Sequence, residues 1–461
     1  MGSPVRELAE ATPATRDRYI DLLRVASLGT VVLGHWLMAA VTTEGVGNLL
    51  AVVPGLQLLT WALQIMPVFF FVGGFSHALS YRSLLRRRPD GSTGSVYPSF
   101  LRARLQRLLR PTMVFVLVWG VAALVVQLLG GGGGLTGVTL RLVTQPLWFI
   151  GIYLAMVAFT PALLKLHDRY GWGAFAALAG AAAAVDLMRF AAGVPYVEFL
   201  NFAFVWLAVH QLGFLRADAR IRRPALLAGA GLAAAVALVA LGPYPLSMVG
   251  MPGERISNMA PPTLALLGHG LWLVGAVELL RAPGARLVAR PRVWRAVVAA
   301  NGLAMTAFLW HLTAMLGVYG AMTALGLPLP EPATGAWWAQ VPVRILAAVA
   351  LTAALVAAFR TFERPVRVVP TGAERGAGAV SALGVALALL GVLGLSMVGY
   401  AGLLEGRTAL LIAFHVSAPA AVAMALGGWL LVERAGRRAG RGAAGVGWRG
   451  WGGTGGSGQR P

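Results

Sequence analysis

Apolar runs long enough to cross a lipid bilayer recur along almost the whole chain, and nothing else in the sequence limits its fold so severely. They fall at roughly 19–42, 56–81, 111–129, 146–164, 172–190, 197–215, 225–242, 262–280, 296–320, 341–359, 378–400 and 408–432. A helix needs about 20 predominantly apolar residues to span the hydrocarbon core. Inside that core each backbone polar group must be satisfied within its own segment, so runs of this length read as α-helices. The expectation is an all-α, polytopic integral membrane protein of about 12 transmembrane helices. Composition agrees, with 58% hydrophobic and 12% charged residues and a mean hydropathy of +0.73. Helix contacts within the bilayer, rather than several soluble domains, then account for the 461 residues.

In a soluble protein the net charge of +21 would suggest a nucleic-acid partner. Here the basic residues fall in short blocks between apolar runs, the pattern that anionic inner-leaflet lipid and the positive-inside bias produce, so no nucleic acid is needed. An even number of spans puts both termini on one side. With a cytoplasmic N-terminus, cytoplasmic segments hold all but five of the 38 Lys and Arg, the five being Arg141, Arg189, Arg255, Arg344 and Arg407. A miscounted span would scatter that bias. Residues 1–17 carry charges of both signs and no apolar core, so they are not a signal peptide and the first span directs insertion. The absence of cysteine excludes disulfides, thiolate metal ligands, iron–sulfur clusters and a cysteine nucleophile. Five glycines at 130–134 read as a flexible link, since no strand and helix flank them as in a phosphate loop. High Ala, Gly, Arg and Val content fits a GC-rich genome and thus a bacterial plasma membrane.

Ionisable residues inside such spans are costly and mark chemistry, transport or ion handling by default. In the first span, RYIDLLRVASLGTVVLGHWLM at 18–38, Arg24 and His35 stand out. Arg24 lies near one hydrocarbon boundary, and His35 lies about 16 Å deeper at 1.5 Å per helical residue. A neutral imidazole suits a general base, while Arg24 or a backbone amide suits the stabilisation of a developing oxyanion. The alternative for His35 is a hydrogen-bonded packing residue. Arg102, Arg104, Arg107 and Arg110 precede the third span, and three of them share an i, i+3 face if a helix starts there. Guanidinium groups on one face suit phosphate, although plain positive-inside anchoring explains much of the eight-arginine segment 82–110. In the second span, Gly73 and Gly74 suit close helix approach, Pro67 suits a kink beside the first span, and His77 is a lesser ligand candidate.

Arg24 and His35, followed in order by FFFVGGF, FLRARLQRLLRP at 100–111, LWFIGIYLAMVAFTP at 147–161 and FLWH at 308–311, resemble the acyltransferase-3 family of integral membrane acyltransferases. The resemblance covers roughly residues 16–364. It implies a membrane acyltransferase domain at 18–364; two additional apolar spans at 365–432 and a flexible Gly/Arg-rich cytoplasmic tail at 433–461 lie outside it. It also implies transfer of an acyl group, commonly acetyl from cytosolic acetyl-CoA, to a hydroxyl of a carbohydrate or other envelope molecule, lipid-linked acceptors included. In that family the histidine matching His35 is catalytic, the arginine matching Arg24 supports it, and the basic motif matching Arg104 and Arg107 handles acyl-CoA. Arg102 and Arg110 are weaker candidates for the same role. The stretch LAVHQLG at 207–213 departs from the more apolar helix of many relatives, which leaves the role of His210 open.

Further candidates are His311 in the ninth span, Trp148 in the fourth, and the outer-loop group Glu254, Arg255 and Asn258, a polar cluster on a side nearly free of charge. A secondary transporter would also carry many spans with buried His and Arg, but it predicts paired halves with interrupted spans at matching positions. No His-x-x-x-His spacing appears, so no metal is expected.

Overall fold

The computed structural model describes residues 3–13, 15–42, 45–88, 95–131, 134–251, 254–363, 377–411 and 414–446. Two short antiparallel hairpins interrupt an otherwise helical chain: β1 (Ala39–Val41) with β2 (Val46–Asn48), and β3 (Thr408–Leu411) with β4 (Phe414–Ser417). A short N-terminal helix α1 (Ser3–Glu10) precedes α2 (Arg18–Met38), and α3 (Leu49–Val52) and α4 (Thr60–Leu63) lead into α5 (Met66–Arg86). Next come α6 (Tyr97–Leu128), α7 (Gly134–Leu142), α8 (Leu147–Tyr170), α9 (Trp172–Phe190), α10 (Asn201–Ala217) and α11 (Pro224–Leu241). The remainder is α12 (Leu264–Leu279), α13 (Arg281–Val288), α14 (Pro291–Asn301), α15 (Ala304–Ala324), α16 (Gly335–Phe359), α17 (Ala377–Val398) and α18 (Ala418–Val446).

Local chemistry fixes several helix starts. The Asp17 carboxylate accepts from the amides of Tyr19 and Ile20 at the head of α2, and Thr263 and Thr334 cap α12 and α16 in the same way. Proline occupies the first turn of α5, α6, α11 and α14, where its missing N–H costs nothing. Pro67 therefore begins α5 rather than kinking it.

Ten helical segments among the described residues are long and apolar enough to cross a membrane, or eleven if the bent pair α12 and α13, 55° apart, forms one span. The chain is thus a polytopic membrane protein, but the count of twelve is not reproduced. The run at 408–432 opens as the β3–β4 hairpin, and the apolar part of α18 up to Val432 falls short of the ~20 residues a crossing needs. Ten crossings keep both termini on one side, and eleven place them on opposite sides. The run at 296–320 is likewise broken, at Gly302 and Leu303 between α14 and α15. Of the five glycines at 130–134, two lie outside the described residues, and Gly134 opens α7. The expected tail begins inside α18, and residues beyond Val446 lie outside the described residues.

Where the helices meet, small residues permit close approach. A Cβ on Gly74 of α5 would lie 2.0 Å from the His210 carbonyl oxygen, and one on Gly213 of α10 would lie 2.3 Å from the Phe71 carbonyl oxygen. These two backbones touch, so the close approach expected of the Gly-Gly pair is made by Gly74, with α10 as the partner helix, while a Cβ on Gly73 would meet only the Tyr153 ring at 3.5 Å. Beside this contact Phe70, Phe149 and Trp206 form a fully buried aromatic cluster from α5, α8 and α10, which Phe308 of α15 joins by packing 4.8 Å from Phe149. That packing aligns α15 with the site. Its start is held by Glu363, whose buried carboxylate accepts from the amides of Met305 and Thr306 and from the Thr306 hydroxyl. A carboxylate here satisfies amides that have no partner within the helix and lies at the favourable end of its dipole.

Candidate active site

His35 stands in the last turn of α2, half-buried, with its Nδ1 2.9 Å from Nε2 of the buried His311 on α15. The rings stack, their centroids 5.0 Å apart. Nδ1 of His311 lies 2.5 Å from the Phe308 carbonyl oxygen, which can only accept. His311 therefore carries its proton on Nδ1, and its Nε2 is the acceptor. In the uncharged pair His35 must then donate from Nδ1, which leaves the lone pair on His35 Nε2. That nitrogen has the form a general base requires. The indole of Trp36 donates to the His311 carbonyl (3.1 Å), so α2 and α15 are tied on both sides of the pair.

Arg24 lies eleven residues away on the same helix, about 16 Å along its axis. Its guanidinium pairs with the buried Asp21 carboxylate (2.7 Å) and donates to Ser76 Oγ (2.7 Å). Arg24 thus braces the entrance to the helix and is out of reach of His35. On α6, Arg104 joins the same group by donating to the Ser76 carbonyl (2.9 Å) and to Ser80 Oγ (3.1 Å). The expected helical start is present, since α6 begins at Tyr97 and carries Arg102, Arg104, Arg107 and Arg110 in its first turns. Arg107 is exposed, and the other three are partly buried.

A second histidine pair adjoins the arginine group, since His77 follows Ser76 on α5. His77 on α5 contacts His210 Nε2 through Nδ1 (3.0 Å) and the Tyr153 hydroxyl through Nε2 (2.9 Å). Nδ1 of His210 is buried without a partner. A bare acceptor costs less there than a bare N–H, so the protons run from His210 Nε2 to His77 Nδ1 and from His77 Nε2 to the Tyr153 oxygen. The open question about His210 thus has a structural answer: it orients His77.

The remaining candidates separate. Trp148 on α8 is half-buried against Phe149 and makes no hydrogen bond to the histidine pair among the described residues. Asn258 is fully buried, donating to the carbonyls of Pro245 and Ser247 and accepting from Thr263, so it folds the loop that carries it. Arg255 and Glu254 are exposed on the same loop. A metal-like grouping does occur, with ligand atoms of His167, Asp168 and Asp218 within 4.8 Å of one another. Arg82 already bridges both carboxylates, and Gln211 and Asp218 occupy both ring nitrogens of His167. Burial pushes the Asp218 carboxyl up, but hydrogen bonds from Arg82 and His167 outweigh it and hold Asp218 below its ordinary value.

Sequence reasoning missed Asp21, Ser76, Ser80, Tyr153 and Glu363. An acid three residues before Arg24 in an apolar run was a usable signal for Asp21. The others become visible only once helices are paired.

Comparison with curated proteins and with solved structures gives no match. A family model described as an acyltransferase domain matches residues 17–360, a range that takes in both histidine pairs and the arginine group. On that match the chain belongs to the acyltransferase-3 family of membrane acyltransferases.

Proposed function

We propose that this protein transfers an acyl group, acetyl in the first instance, from acyl-CoA to a hydroxyl of a carbohydrate or other cell-envelope acceptor, and that it is oriented with its arginine-rich end in the cytoplasm. The observation that carries the proposal is the chain Phe308 carbonyl, His311, His35, which leaves an unprotonated Nε2 on a half-buried imidazole. His35 Nε2 takes the acceptor's hydroxyl proton as the oxygen attacks the thioester carbonyl carbon. The tetrahedral intermediate collapses, the carbon–sulfur bond breaks, and the CoA thiolate leaves with the proton returned by His35.

Donor geometry follows from the separation along α2. Arg104 and the exposed Arg107 offer planar donors to the CoA phosphates, with Arg24 beside them. The extended pantetheine arm is the part of the donor suited to cover the roughly 16 Å of helix between that end and His35.

The test is free CoA release by reconstituted protein supplied with acetyl-CoA and an envelope-glycan or lipid-linked sugar extract. His35→Ala should lower transfer and CoA release by ~10²–10⁴-fold while acetyl-CoA still binds. His35→Gln should fail too, because an amide is no base. A wild type that moves intact solute across the vesicle membrane and consumes no thioester would assign the protein to transport instead.

A further inference from the structure

Beyond the histidine pair, on the side away from the arginine cluster, Arg344 of α16 is buried at 8% exposure. Its Nη1 donates to the Tyr319 hydroxyl (2.8 Å) and its Nη2 to the Trp337 carbonyl (2.8 Å), both neutral acceptors. Its Nε is buried with no partner, and so is the indole Nε1 of Trp337, a residue 1% exposed. Among the described residues no carboxylate lies within ion-pairing distance of Arg344. Other arginines of the bundle are met: Arg24 has Asp21, Arg82 has Asp168 and Asp218, Arg216 has Asp17 and Glu278, and Arg104, which also lacks a carboxylate, donates to Ser76 and Ser80 and leaves no buried N–H idle.

A buried guanidinium that lacks a counter-charge and has an idle N–H is costly, and the cost is larger where lipid surrounds the helix. The Tyr319 and Trp337 rings, with Arg344 over them at 5.5 and 4.7 Å, offset part of it through cation–π contact. They do not supply the missing acceptor.

Both orphan donors belong to residues lining one cavity, with Trp36, Met315 and Val341 among its other walls. Its open space of about 20 Å³ exceeds the ~10–15 Å³ one water needs, so it admits a single small polar group and no whole sugar. Trp36 is the residue after His35 and holds the His311 carbonyl, so the cavity adjoins the proposed catalytic pair. Tyr319 lies two turns beyond His311 on α15, about 12 Å along the axis.

We infer that Arg344 and Trp337 form a subsite for one oxyanion, a carboxylate or phosphate group of the acyl acceptor, and so make the enzyme selective for anionic acceptors. The inference rests on the acyl-transfer reading above and specifies its acceptor class. The acceptor's charge enters the cavity and accepts from Arg344 Nε and Trp337 Nε1 once these two side chains, whose donor atoms are closed off from it in this structure, turn toward it. The hydroxyl to be acylated lies at the other end of the molecule, beside His35.

The experiment compares three acceptors on reconstituted protein with acetyl-CoA: p-nitrophenyl β-glucoside, p-nitrophenyl β-glucuronide and a short-prenyl phosphoglucose. The expected result is kcat/KM at least tenfold higher for one or both charged acceptors than for the glucoside. The charged acceptor that gains identifies carboxylate or phosphate as the group bound. In Arg344→Gln that ratio should fall to near one through a rise in KM for the charged acceptor, while Arg344→Lys keeps part of it. Trp337→Phe, which retains the ring and removes only the donor, should lower the ratio a few-fold and guards against misfolding of the Arg344 variants. Equal kcat/KM for all three acceptors in the wild type, or an equal loss on all three in the variants, overturns the subsite. If no thioester is consumed at all, the acyl-transfer reading is what fails. The subsite is then read by thermal stabilisation with the glucuronide over the glucoside, and equal stabilisation by the two overturns it.

Discussion

One helix carries both halves of the proposed chemistry, and the two halves are built on opposite principles. At the Arg24 end of α2, charge is met by charge: Asp21 lies between Arg16 and Arg24, and Arg216 nearby holds Asp17 and Glu278. At the His35 end there is no ion pair among the described residues, and a backbone carbonyl sets the direction of a neutral hydrogen-bond chain. The difference follows from environment. Near water, cations can be grouped for a polyanionic donor at modest cost, whereas deeper in the bundle a fixed charge is expensive and a neutral base is the affordable reactive group. Arg344 is the exception at that depth, which is why its missing counter-charge is informative.

The sharpest way to break the comparison is to ask whether the two ends face opposite sides of the membrane. The chain has no cysteine, so single cysteines at the exposed positions Arg86 and Arg255 give an all-or-none readout. An impermeant thiol reagent should label them from opposite sides, with Arg86→Cys on the cytoplasmic side. Labelling of both from one side would mean that the arginine end and the 243–261 loop share a compartment.

Removing the partner that orients the base should produce the next largest effect. His311→Ala leaves His35 free to take either tautomer and should reduce kcat by ~10²-fold, within the range a positioned base contributes, with KM for acetyl-CoA nearly unchanged. His311→Gln keeps an acceptor for His35 Nδ1 and should recover part of the rate. A change confined to the acetyl-CoA KM would move His311 out of the catalytic group.

The smallest effect belongs to the arginine end, where several cations share one task. Arg104→Ala with Arg107→Ala should raise the KM for acetyl-CoA by ~10-fold, what a single charge-assisted hydrogen bond of roughly 1.5 kcal/mol supplies, because the neighbouring cations take over part of the task. The double Lys variant should regain only part, because the planar fork is lost. Unaltered acetyl-CoA affinity in the double Ala variant would reduce these arginines to determinants of topology.

Much of this protein was legible before any coordinates. Run length and hydropathy alone require a helical membrane protein, because hydrocarbon leaves the backbone no other option. His35, Arg104 and the close-packing Gly74 also declared themselves, each as a residue type out of keeping with its surroundings. Less legible was the number of crossings. Apolar runs at 296–320 and 408–432 hide a helix break and a hairpin, and composition does not register where a chain turns.

What the sequence by itself determined is the class of molecule, the family, and the helices that bear its polar residues, all of them properties of short stretches with a local period. Only the tertiary structure decided which polar groups meet. His35 and His311 are 276 positions apart, Arg104 reaches Ser76 across two helices, and Arg344 finds two neutral partners and no carboxylate. Those pairings depend on how closely one backbone approaches another, as at Gly74 and Gly213, and on side-chain directions that a one-dimensional pattern does not encode.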